Sequence, residues 1–339
     1  MRKMATIRKI DALTPIVGAD AIEAATIGGW KVVVKKGEFQ VGDLAVYCEI
    51  DSWIPTELAP FLSKGKEPRE YEGIKGERLR TVKLRGQLSQ GLLLNLDQVI
   101  PETHSFDEDA DVSEHLGITK WELPMNAQLA GMAKGNFPSE IPKTDQERAQ
   151  NLVEEIRVSA EAGTKFEVTE KLEGSSMTVY LIRGEFGVCS RNLDLKETEG
   201  NAFWATARRD DIEDKMRIAG MNNFAIQGEL IGPGIQGNIY KLSKPEFRVF
   251  DMYNIQTGAY LVPHERRAFI KVLDLLHVPV MYVDKDLGVG SVEEILQWAE
   301  AKSVMGDING PQREGIVFKE VNGGMTFKAI SNKYLLGEK

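Results

Sequence analysis

Lys171 stands in the segment EKLEGSS, with Glu173 two positions later and Gly174 three positions later. A lysine beside a glycine turn can act as a covalent nucleophile on a phosphoanhydride, provided that its amine is neutral. The pattern KxxG carries little weight alone, because a chain of this size and composition contains about two such matches by chance. Lys83 and Lys285 begin the same pattern, so the residues around each lysine must distinguish them.

Lys171 alone is followed by an ordered series of further motifs. The series comprises SRNLDLKE (190–197), QGELIGPGIQGN (227–238), FRVFDMYN (247–254), REGIVFKE (313–320) and FKAISNKYL (327–335). With the Lys171 segment it resembles motifs I, Ia, III, IIIa, IV and V of the covalent nucleotidyltransferases, which are ATP-dependent DNA and RNA ligases and mRNA capping enzymes. The upstream segment FPSEIPKTDQERAQNL resembles the lead-in of RNA ligases of the phage double-strand-sealing type. The resemblance covers residues 137–335.

The amine of the nucleophile must lose its proton before it attacks. A lysine has an ordinary pKa of about 10.4, so neutralising it at pH 7 costs about 4 kcal/mol. Nearby cations lower such a pKa. We therefore expect Lys328 and Lys333, both in the last motif, and a bound divalent cation to depress the pKa of Lys171 while they neutralise the phosphates.

A divalent cation requires hard oxygen ligands, which carboxylates supply. Glu229 and Glu314 are the predicted ligands, directly or through held waters, and Glu173 is a third candidate. Glu173 departs from the family pattern KxDG, because its side chain is one methylene longer than that of aspartate. The last motif departs as well: related RNA ligases carry K-x-K there, whereas this chain has KAI from Lys328 onward, which leaves Lys333 as the candidate second cation.

The resemblance also implies which residues contact a nucleotide. Arg191 would contact the ribose, and Phe250 rather than Phe247 would stack on adenine. Glu170, with the backbone of the first motif, would help to read the base. Arg148 could reach the β- and γ-phosphates, although an amphipathic helix surface explains it equally well. The predicted catalytic residues are Lys171, Glu314 and Lys328, and the predicted nucleotide-binding residues are Arg148, Glu170, Leu172, Gly174, Arg191, Glu229, Phe250, Lys328 and Lys333.

The elements that must position these residues differ along the chain. Residues 1–125 contain short strand-like runs such as WKVVVKK and LAVYCEI between turn residues, which predict a small antiparallel OB-like β-barrel. An acidic segment at 101–118 interrupts the apolar pattern. In residues 126–339 strand-like stretches alternate with helices, expected at 264–276 and 291–302. The predicted fold class is α+β: the barrel, followed by what the resemblance implies is an ATP-grasp-like nucleotidyltransferase domain of antiparallel sheets and helices.

Basic residues concentrate in one part of an acidic chain. The net charge is −9, yet residues 64–85 contain eight basic residues against four glutamates. If RLRTVKLRG forms one extended strand, side chains two positions apart share a face. The predicted nucleic-acid-binding residues are the two pairs that this spacing creates: Arg78 with Arg80, and Lys83 with Arg85. The alternative is a charged edge strand that discourages aggregation.

Composition excludes several other classes of protein. No run approaches eighteen consecutive apolar residues, and the basic N-terminus has no apolar segment behind it, which argues against a membrane span and a secretory signal. The two cysteines, Cys48 and Cys189, form no CxxC pattern, so a disulfide framework or structural zinc is not expected. We expect an intracellular monomer that makes no contact with a membrane.

These features together predict an ATP-dependent RNA ligase. It would join 3′-hydroxyl and 5′-phosphate ends, at nicks in duplexes with a bridging strand, through lysyl-AMP and an adenylylated 5′-phosphate. ATP and Mg²⁺ or Mn²⁺ are the expected cofactors, and RNA is the expected partner. Six residues follow Lys333, too few for the OB domain that DNA ligases and capping enzymes carry after the last motif. Those two activities stay as alternatives, as does a catalytically inactive OB-type nucleic-acid-binding protein.

Overall fold

Strands and helices both contribute to the fold, as the α+β class requires. A computed structural model of the chain describes residues 2–101, 104, 106–123, 131–306 and 310–338. The chain divides into two compact units, Met1–Pro124 and Met125–Lys339. The domain boundary expected from the sequence, between residues 125 and 126, lies outside the described residues.

The first unit consists mainly of short antiparallel strands. They are β1 (Ala5–Lys9), β2 (Ala12–Pro15), β3 (Ile22–Ile27), β4 (Trp30–Lys35), β5 (Leu44–Cys48), β6 (Ser52–Pro55), β7 (Arg69–Tyr71), β8 (Ile74–Arg78), β9 (Val82–Leu84), β10 (Gln87–Ser89), β11 (Leu92–Asn95) and β12 (Thr119–Lys120). They pair in the orders β1-β5-β11, β2-β3-β4, β12-β6-β8-β7 and β10-β9. A 3₁₀ turn (Pro60–Ser63) and helix α1 (Leu96–Val99) lie between strands.

Alternation of apolar residues in these strands builds the core of the first unit. Ile7 of β1 and Leu94 of β11 both lie opposite Val46 of β5. All three side chains belong to one buried apolar cluster. Burying a side chain of this kind contributes about 1.5–3 kcal/mol, so the repeated two-residue period fixes both the register and the inward face.

The segment RLRTVKLRG does not form the single strand that its sequence predicts. Strand β8 ends at Arg78, residues 79–81 are not in a strand, and β9 contains only Val82–Leu84. Arg85 and Gly86 then both have positive φ, 50° and 82°, and Leu84 pairs with Gln87. Two consecutive positive φ values define a two-residue hairpin turn. The prediction that this segment aligns two basic pairs along one strand is therefore wrong.

The second unit contains two larger sheets and most of the described helices. Its strands are β13 (Ala133–Asn136), β14 (Glu147–Arg148), β15 (Phe166–Lys171), β16 (Ser175–Ile182), β17 (Glu185–Cys189), β18 (Leu193–Leu195), β19 (Phe224–Ile231), β20 (Glu246–Asn254), β21 (Ala259–Tyr260), β22 (Leu276–His277), β23 (Val280–Lys285), β24 (Gly315–Glu320) and β25 (Thr326–Ile330). Its helices are α2 (Val153–Glu161), α3 (Ala202–Arg209), α4 (Ile212–Ile218), α5 (Pro263–Val272), α6 (Val292–Ala299) and α7 (Asn332–Leu336), with a 3₁₀ turn at Ala149–Asn151.

Each sheet of the second unit is covered by helices on an apolar face. The larger sheet has the order β13-β18-β17-β16-β19-β20-β21, with β22 beside β20, and the smaller has the order β14-β25-β24-β15-β23. Trp204 of α3 and Met216 of α4 pack into the cluster on the larger sheet. Ile295 of α6 packs with Phe318 and Phe327 on the smaller sheet, where the two rings stack with centroids 4.6 Å apart. Each sheet thus has its own core.

The two helices predicted from sequence signals are present but shorter than expected. Helix α6 starts after Ser291, whose Oγ accepts a hydrogen bond from the amide of Glu294 at 3.1 Å, as an N-cap does. Helix α5 ends at Val272, and Asp274 follows with a positive φ of 47°, which a helix cannot continue through. No helix in the described part of the chain is both long enough and apolar enough to cross a membrane.

Candidate active site

Lys171 is the last residue of β15, at the edge where the smaller sheet ends. It lies opposite Gly315 of β24, so the strand register brings Glu314, the residue before that strand, next to it. Lys171 Nζ donates a hydrogen bond to Glu314 Oε1 at 2.7 Å, and the two side chains are 29% and 17% exposed. The two residues predicted as nucleophile and catalytic carboxylate are therefore in direct contact.

The turn after Lys171 requires glycine at its third position. A Cβ placed on Gly174 would lie 2.4 Å from the carbonyl oxygen of Leu230 and 2.9 Å from Cγ of Glu229. No larger residue fits without displacing the backbone of β19, so Gly174 lets the turn pass directly against the strand that carries Glu229. Leu172, 3% exposed, anchors the same turn in an apolar cluster.

The charges around Lys171 oppose the pKa shift that the sequence predicts. Burial lowers the pKa of Lys171, but the carboxylates of Glu314 and Glu229 outweigh it and raise the pKa above its ordinary value. The protein groups alone therefore do not depress this pKa, because carboxylates rather than cations dominate around Lys171. The expected depression, which includes a bound divalent cation, stays a prediction. Burial raises the pKa of Glu229 to about 8, and Glu314 adds to this shift while Lys171 opposes it.

Arg191 approaches this cluster from the larger sheet. It lies between β17 and β18, and its charge lowers the pKa of both Lys171 and Glu229. Its Nη2 atom donates to both carboxylate oxygens of Asp145, each at 3.0 Å. The structure thus brings the predicted ribose-binding arginine near the nucleophile, held by an aspartate that the sequence reasoning missed.

Arg148 and Lys328 are neighbours on adjacent parallel strands. They are register partners in the β14–β25 pair, so their side chains project from the same side of the sheet. Lys328 pairs with Val317, which pairs with Thr169, two positions before Lys171. Because residues two positions apart share a face, Lys328 and Lys171 lie on one face of this sheet. Two of the predicted phosphate-binding cations therefore share a sheet with the nucleophile, on strands two and three positions away from β15.

Lys333 lies apart from this arrangement. It is an exposed residue of α7, and its backbone amide donates to the carboxylate of Glu300. Among the residues that the structure describes, its ammonium group makes no hydrogen bond or ion pair with the cluster around Lys171. Its role as the second cation of the last motif stays a prediction.

The two phenylalanines of FRVFD have different environments. Phe247 is 2% exposed and belongs to the core of the larger sheet. Phe250 is partly exposed and packs against a smaller apolar cluster that includes Leu172. Lys319 holds this segment, because its Nζ donates to the carbonyl oxygen of Phe250 at 2.7 Å and lies 2.5 Å from Asp251 Oδ1. Of the two rings, only Phe250 has a surface available for stacking.

The carboxylate of Glu170 is engaged within the protein. It accepts hydrogen bonds from the hydroxyl of Ser303 and, at 2.8 Å, from the amide of Val304. Burial raises the pKa of Glu170, and these two bonds oppose that shift. The side chain therefore holds the loop after α6, and its predicted contact with a base stays a prediction.

Two tyrosines near Glu173 were not found by sequence reasoning. Tyr240 Oη accepts a hydrogen bond from the amide of Glu173 at 2.8 Å. Burial raises the pKa of Tyr334, and Glu314 together with hydrogen bonding to Glu173 adds to that shift. Nothing in the local sequence pairs these residues, because they lie 67 and 161 positions beyond Glu173.

The predicted nucleic-acid-binding residues fall into two groups. Arg78 Nη2 lies 2.5 Å from Asp51 Oδ1, and its guanidinium is 3.8 Å from the ring centroid of Trp121. The other three, which are exposed, are Arg80, Lys83 and Arg85. Lys83 and Arg85 lie on the β9–β10 hairpin. Arg78 thus makes contacts within the first unit, whereas the other three side chains are exposed to solvent.

A strand-end lysine is bonded here to a glutamate, a second carboxylate acts on it from the larger sheet, and Lys328 lies on its face of the smaller sheet. Such a site is suited to attack on a phosphoanhydride. This fold and site are those of a covalent nucleotidyltransferase. Profiles of two families match the chain: an OB-fold domain over residues 4–96 and RNA ligase over residues 164–334.

Solved structures of Naegleria gruberi RNA ligase have the same fold along the whole chain. A lysine-to-methionine variant with AMP and Mn is 47% identical, with a TM-score of 0.92 and 100% of each chain covered. The protein with PPi is 48% identical, with a TM-score of 0.91, over 99% of this chain and 98% of that one. A lysine-to-alanine variant with ATP and Mn is 47% identical, with a TM-score of 0.91 and 98% of each chain covered.

The chain therefore belongs to the RNA ligase family and is an enzyme that ligates RNA. A search of curated proteins finds no match. The OB fold expected in the first unit is confirmed, as is the choice of RNA ligase over DNA ligase, capping enzyme and inactive binding protein.

Proposed function

We propose that this enzyme joins a 3′-hydroxyl to a 5′-phosphate in three steps that begin at Lys171. Its amine attacks the α-phosphorus of ATP, forms lysyl-AMP and releases pyrophosphate. The AMP then passes to the 5′-phosphate of RNA, and the 3′-hydroxyl displaces AMP as the phosphodiester forms. The observation that carries this proposal is the 2.7 Å contact between Lys171 Nζ and Glu314, which sets a nucleophile beside an acidic partner at a strand end.

The relatives support ATP as the donor. The Naegleria gruberi ligase is described with ATP and Mn, with AMP and Mn, and with PPi. ATP is the substrate of the first proposed step, AMP is the group left on the enzyme, and pyrophosphate is the leaving group. Each of these molecules therefore corresponds to a species in the proposed reaction.

The carboxylates near Lys171 fit a divalent cation. Glu229 and Glu314 both act on Lys171, and the raised pKa of Glu229 shows the cost of burying negative charge there. The described residues include no group of three or more His, Cys, Asp or Glu side chains that could hold a metal ion. Mg²⁺ or Mn²⁺ would be held by Glu229 and Glu314, directly or through water, with Glu173 as a third candidate. A bound cation would neutralise these carboxylates and the phosphates, which favours the neutral amine of Lys171.

The nucleotide is proposed to lie across both sheets of the second unit. Phe250 stacks on adenine, while Arg191 contacts the ribose. Arg148 and Lys328, paired on adjacent strands, bind the phosphates, and Lys333 adds charge from α7. The remaining proposed contacts come from the nucleophile's own segment, at Glu170, Leu172 and Gly174. Three observations support this arrangement. Lys328 lies on the same face of the smaller sheet as Lys171, the charge of Arg191 acts on the pKa of Lys171 from the larger sheet, and Phe250 is partly exposed.

The first unit is proposed to bind the RNA, and the second to carry out adenylyl transfer. The preferred substrate is a nick in a duplex, held by a bridging strand, and the enzyme acts as a monomer. Exposed Arg80, Lys83 and Arg85 support a phosphate-binding surface on the first unit. We also place the enzyme inside the cell, since Cys48 and Cys189 are both free and buried.

Incubation with α-labelled ATP and Mn²⁺ or Mg²⁺ tests the chemistry. The wild-type protein acquires acid-stable label, and Lys171→Met does not. Lys171→Arg is equally inactive, because a guanidinium stays protonated and is no nucleophile. Lys83→Met is the control and retains the label. Lys83 begins the KxxG pattern in the first unit. Label in Lys171→Met would show that the wrong lysine has been chosen.

A panel of nicked duplexes tests the substrate. Nicks with RNA or DNA on either side, and single-stranded RNA without a bridging strand, are compared at equal concentration. We expect bridged nicks in RNA to be sealed faster than unbridged single strands. Equal sealing of unbridged single strands contradicts the proposed preference for nicks while leaving the ligase chemistry intact.

A further inference from the structure

Tyr240 makes a partly buried hydrogen bond to the turn that follows the nucleophile. Its hydroxyl oxygen accepts from the backbone amide of Glu173 at 2.8 Å, and its side chain is 7% exposed. Tyr240 belongs to the connection between β19 and β20, at residues 232–245. This connection also approaches the side chain of Glu173, since a Cβ added at Gly237 would lie 3.8 Å from Glu173 Oε1.

The amide of Glu173 needs a hydrogen-bond acceptor because the turn lies between two strands. Strand β15 ends at Lys171 and β16 begins at Ser175, so the amide of Glu173 takes no part in the strand ladder. A backbone amide left without an acceptor in a protein interior is costly. The hydroxyl of Tyr240 supplies the acceptor from a distant part of the chain.

The ring of Tyr240 has a second role, in apolar packing. It belongs to the buried cluster that contains Leu172, Ile231 and Val278. Phe250, the proposed platform for adenine, packs against this cluster. One residue therefore contributes to the support of the base platform and bonds to the turn beside the nucleophile.

We propose that Tyr240 is a positioning residue for the first step of the reaction, holding the Lys171 turn in a fixed relation to the base platform. Among the described residues, its hydroxyl bonds to the Glu173 amide and makes no hydrogen bond to Lys171 or Glu314, so it acts through that amide. The inference rests on the proposed role of Lys171 as the nucleophile. Small displacements of an attacking group have large effects on rate, because the geometry of attack is narrow.

The test is Tyr240→Phe, which removes only the hydroxyl oxygen and keeps the ring in its cluster. Single-turnover formation of lysyl-AMP is measured over a range of ATP concentrations, along with the thermal unfolding midpoint. We expect the maximal rate to fall about tenfold, since the loss affects geometry rather than binding. The ATP concentration that gives half-maximal rate should change by less than about twofold, because the apolar surface is unchanged.

Tyr180→Phe is the matched control. Tyr180 is 6% exposed, lies in the same unit, and donates its hydroxyl proton to Asp194 at 3.0 Å. Removing this hydroxyl deletes a buried hydrogen bond outside the cluster around Lys171. The loss of stability should be at least that of Tyr240→Phe, whose bond is only partly buried, and adenylylation should not slow.

Three results would overturn the inference. The first is a wild-type rate in Tyr240→Phe, and the second is an equal loss of rate in both variants, which indicates a general loss of stability. The third is a change confined to the ATP concentration dependence, which assigns Tyr240 to binding alone. Mapping of the label separates this inference from the proposed function. Label on Lys171 with an unaffected Tyr240→Phe overturns only the inference, whereas wild-type label on another residue overturns both.

Discussion

Lys171 Nζ lies 2.7 Å from Glu314 Oε1, although the two residues are 143 positions apart in the chain. The contact follows from the antiparallel pairing of β15 with β24, in which Lys171 faces Gly315. Gly315 is itself required there, since a Cβ would come within 2.2 Å of the carbonyl oxygen of Ala329 on β25. Three adjacent strands therefore fix the nucleophile and its acidic partner.

This contact predicts different effects for two substitutions of Glu314. Glu314→Ala removes both the hydrogen-bond acceptor and a proposed cation ligand, and we expect lysyl-AMP formation to fall at least about 100-fold. Glu314→Gln keeps the shape but loses the charge, so it should fall less and need more Mn²⁺ to reach its maximal rate. Both are measured as single-turnover labelling across a Mn²⁺ titration. Near-normal rates for Glu314→Gln and Glu229→Gln throughout the titration would remove both residues from the proposed cation site.

The two phenylalanines of FRVFD should separate binding from stability. Phe250→Ala should weaken ATP binding by about tenfold or more, because stacking of a base on an aromatic ring contributes about 1–3 kcal/mol. Phe250→Trp should restore it. Phe247→Ala should instead cost about 3–5 kcal/mol in free energy of unfolding, since Phe247 fills the core of the larger sheet. The measurements are the ATP concentration dependence of labelling and denaturant unfolding, and the reverse pattern would exchange the two roles.

Sequence alone predicted the reactive residues but not the tertiary contacts that position them. The order of the motifs predicted that Lys171, Glu229 and Glu314 act together, and the structure brings these three residues into one cluster. The bond from Glu173 to Tyr240 could not be predicted, since it joins a turn to a distant connection and depends on how the strands pair. Register and tertiary packing decide such contacts, and local sequence carries no record of them.

The basic segment of the first unit shows a failure of a different kind. Alternating residue types in this segment suggested one long strand, but Arg85 and Gly86 form a turn. The usual sequence signal for such a hairpin turn is asparagine or aspartate before glycine, and this segment has arginine there. Leu79 and Thr81 are buried on either side of Arg80, which shows that the inward residues of this stretch were correctly spaced. The two-residue alternation correctly indicated which side chains point inward, but nothing in the sequence indicated that the strand breaks.

His277 predicts how stability depends on pH. Arg266 Nε donates to His277 Nε2 at 3.2 Å, which requires that nitrogen to carry no proton. Burial, reinforced by Arg266, lowers the pKa of His277 from 6.5 to about 4. The unfolded chain therefore binds the extra proton first as the pH falls, and the free energy of unfolding should decrease between pH 6.5 and about 4, by up to about 3 kcal/mol.

Denaturant unfolding at a series of pH values measures this dependence. His277→Gln should flatten the slope in that pH window, because glutamine takes up no proton. His264→Gln, which changes an exposed histidine on α5, is the control and should keep the wild-type slope. A wild-type slope in His277→Gln would show that other groups cause the acid sensitivity.

Arg78 should behave differently from the other basic residues of its segment. Its guanidinium bonds to Asp51 and lies over Trp121, so Arg78→Ala removes an ion pair and a cation–π contact together. We expect a lower thermal midpoint, corresponding to about 1–2 kcal/mol. Stability could instead be unchanged while nick binding weakens as much as when Arg80, Lys83 and Arg85 are all replaced with alanine. That result would place Arg78 in the binding surface.

Three basic residues form the proposed RNA-binding surface on the first unit. Arg80, Lys83 and Arg85 are exposed and carry three positive charges within six positions, which suits contact with a phosphate backbone. Replacing all three with alanine should weaken binding to a nicked RNA duplex and reduce its salt dependence by about 0.9 units of slope for each lost phosphate contact. Lysyl-AMP formation should be unchanged, because the proposed ATP chemistry uses residues of the second unit.

A triple alanine variant at Lys3, Lys35 and Lys36 makes the same change of charge at other exposed sites of the first unit and should keep most of the affinity. Equal losses in the two variants would mean that only the net charge matters, and an unchanged salt slope in the first would leave this unit without the proposed binding surface.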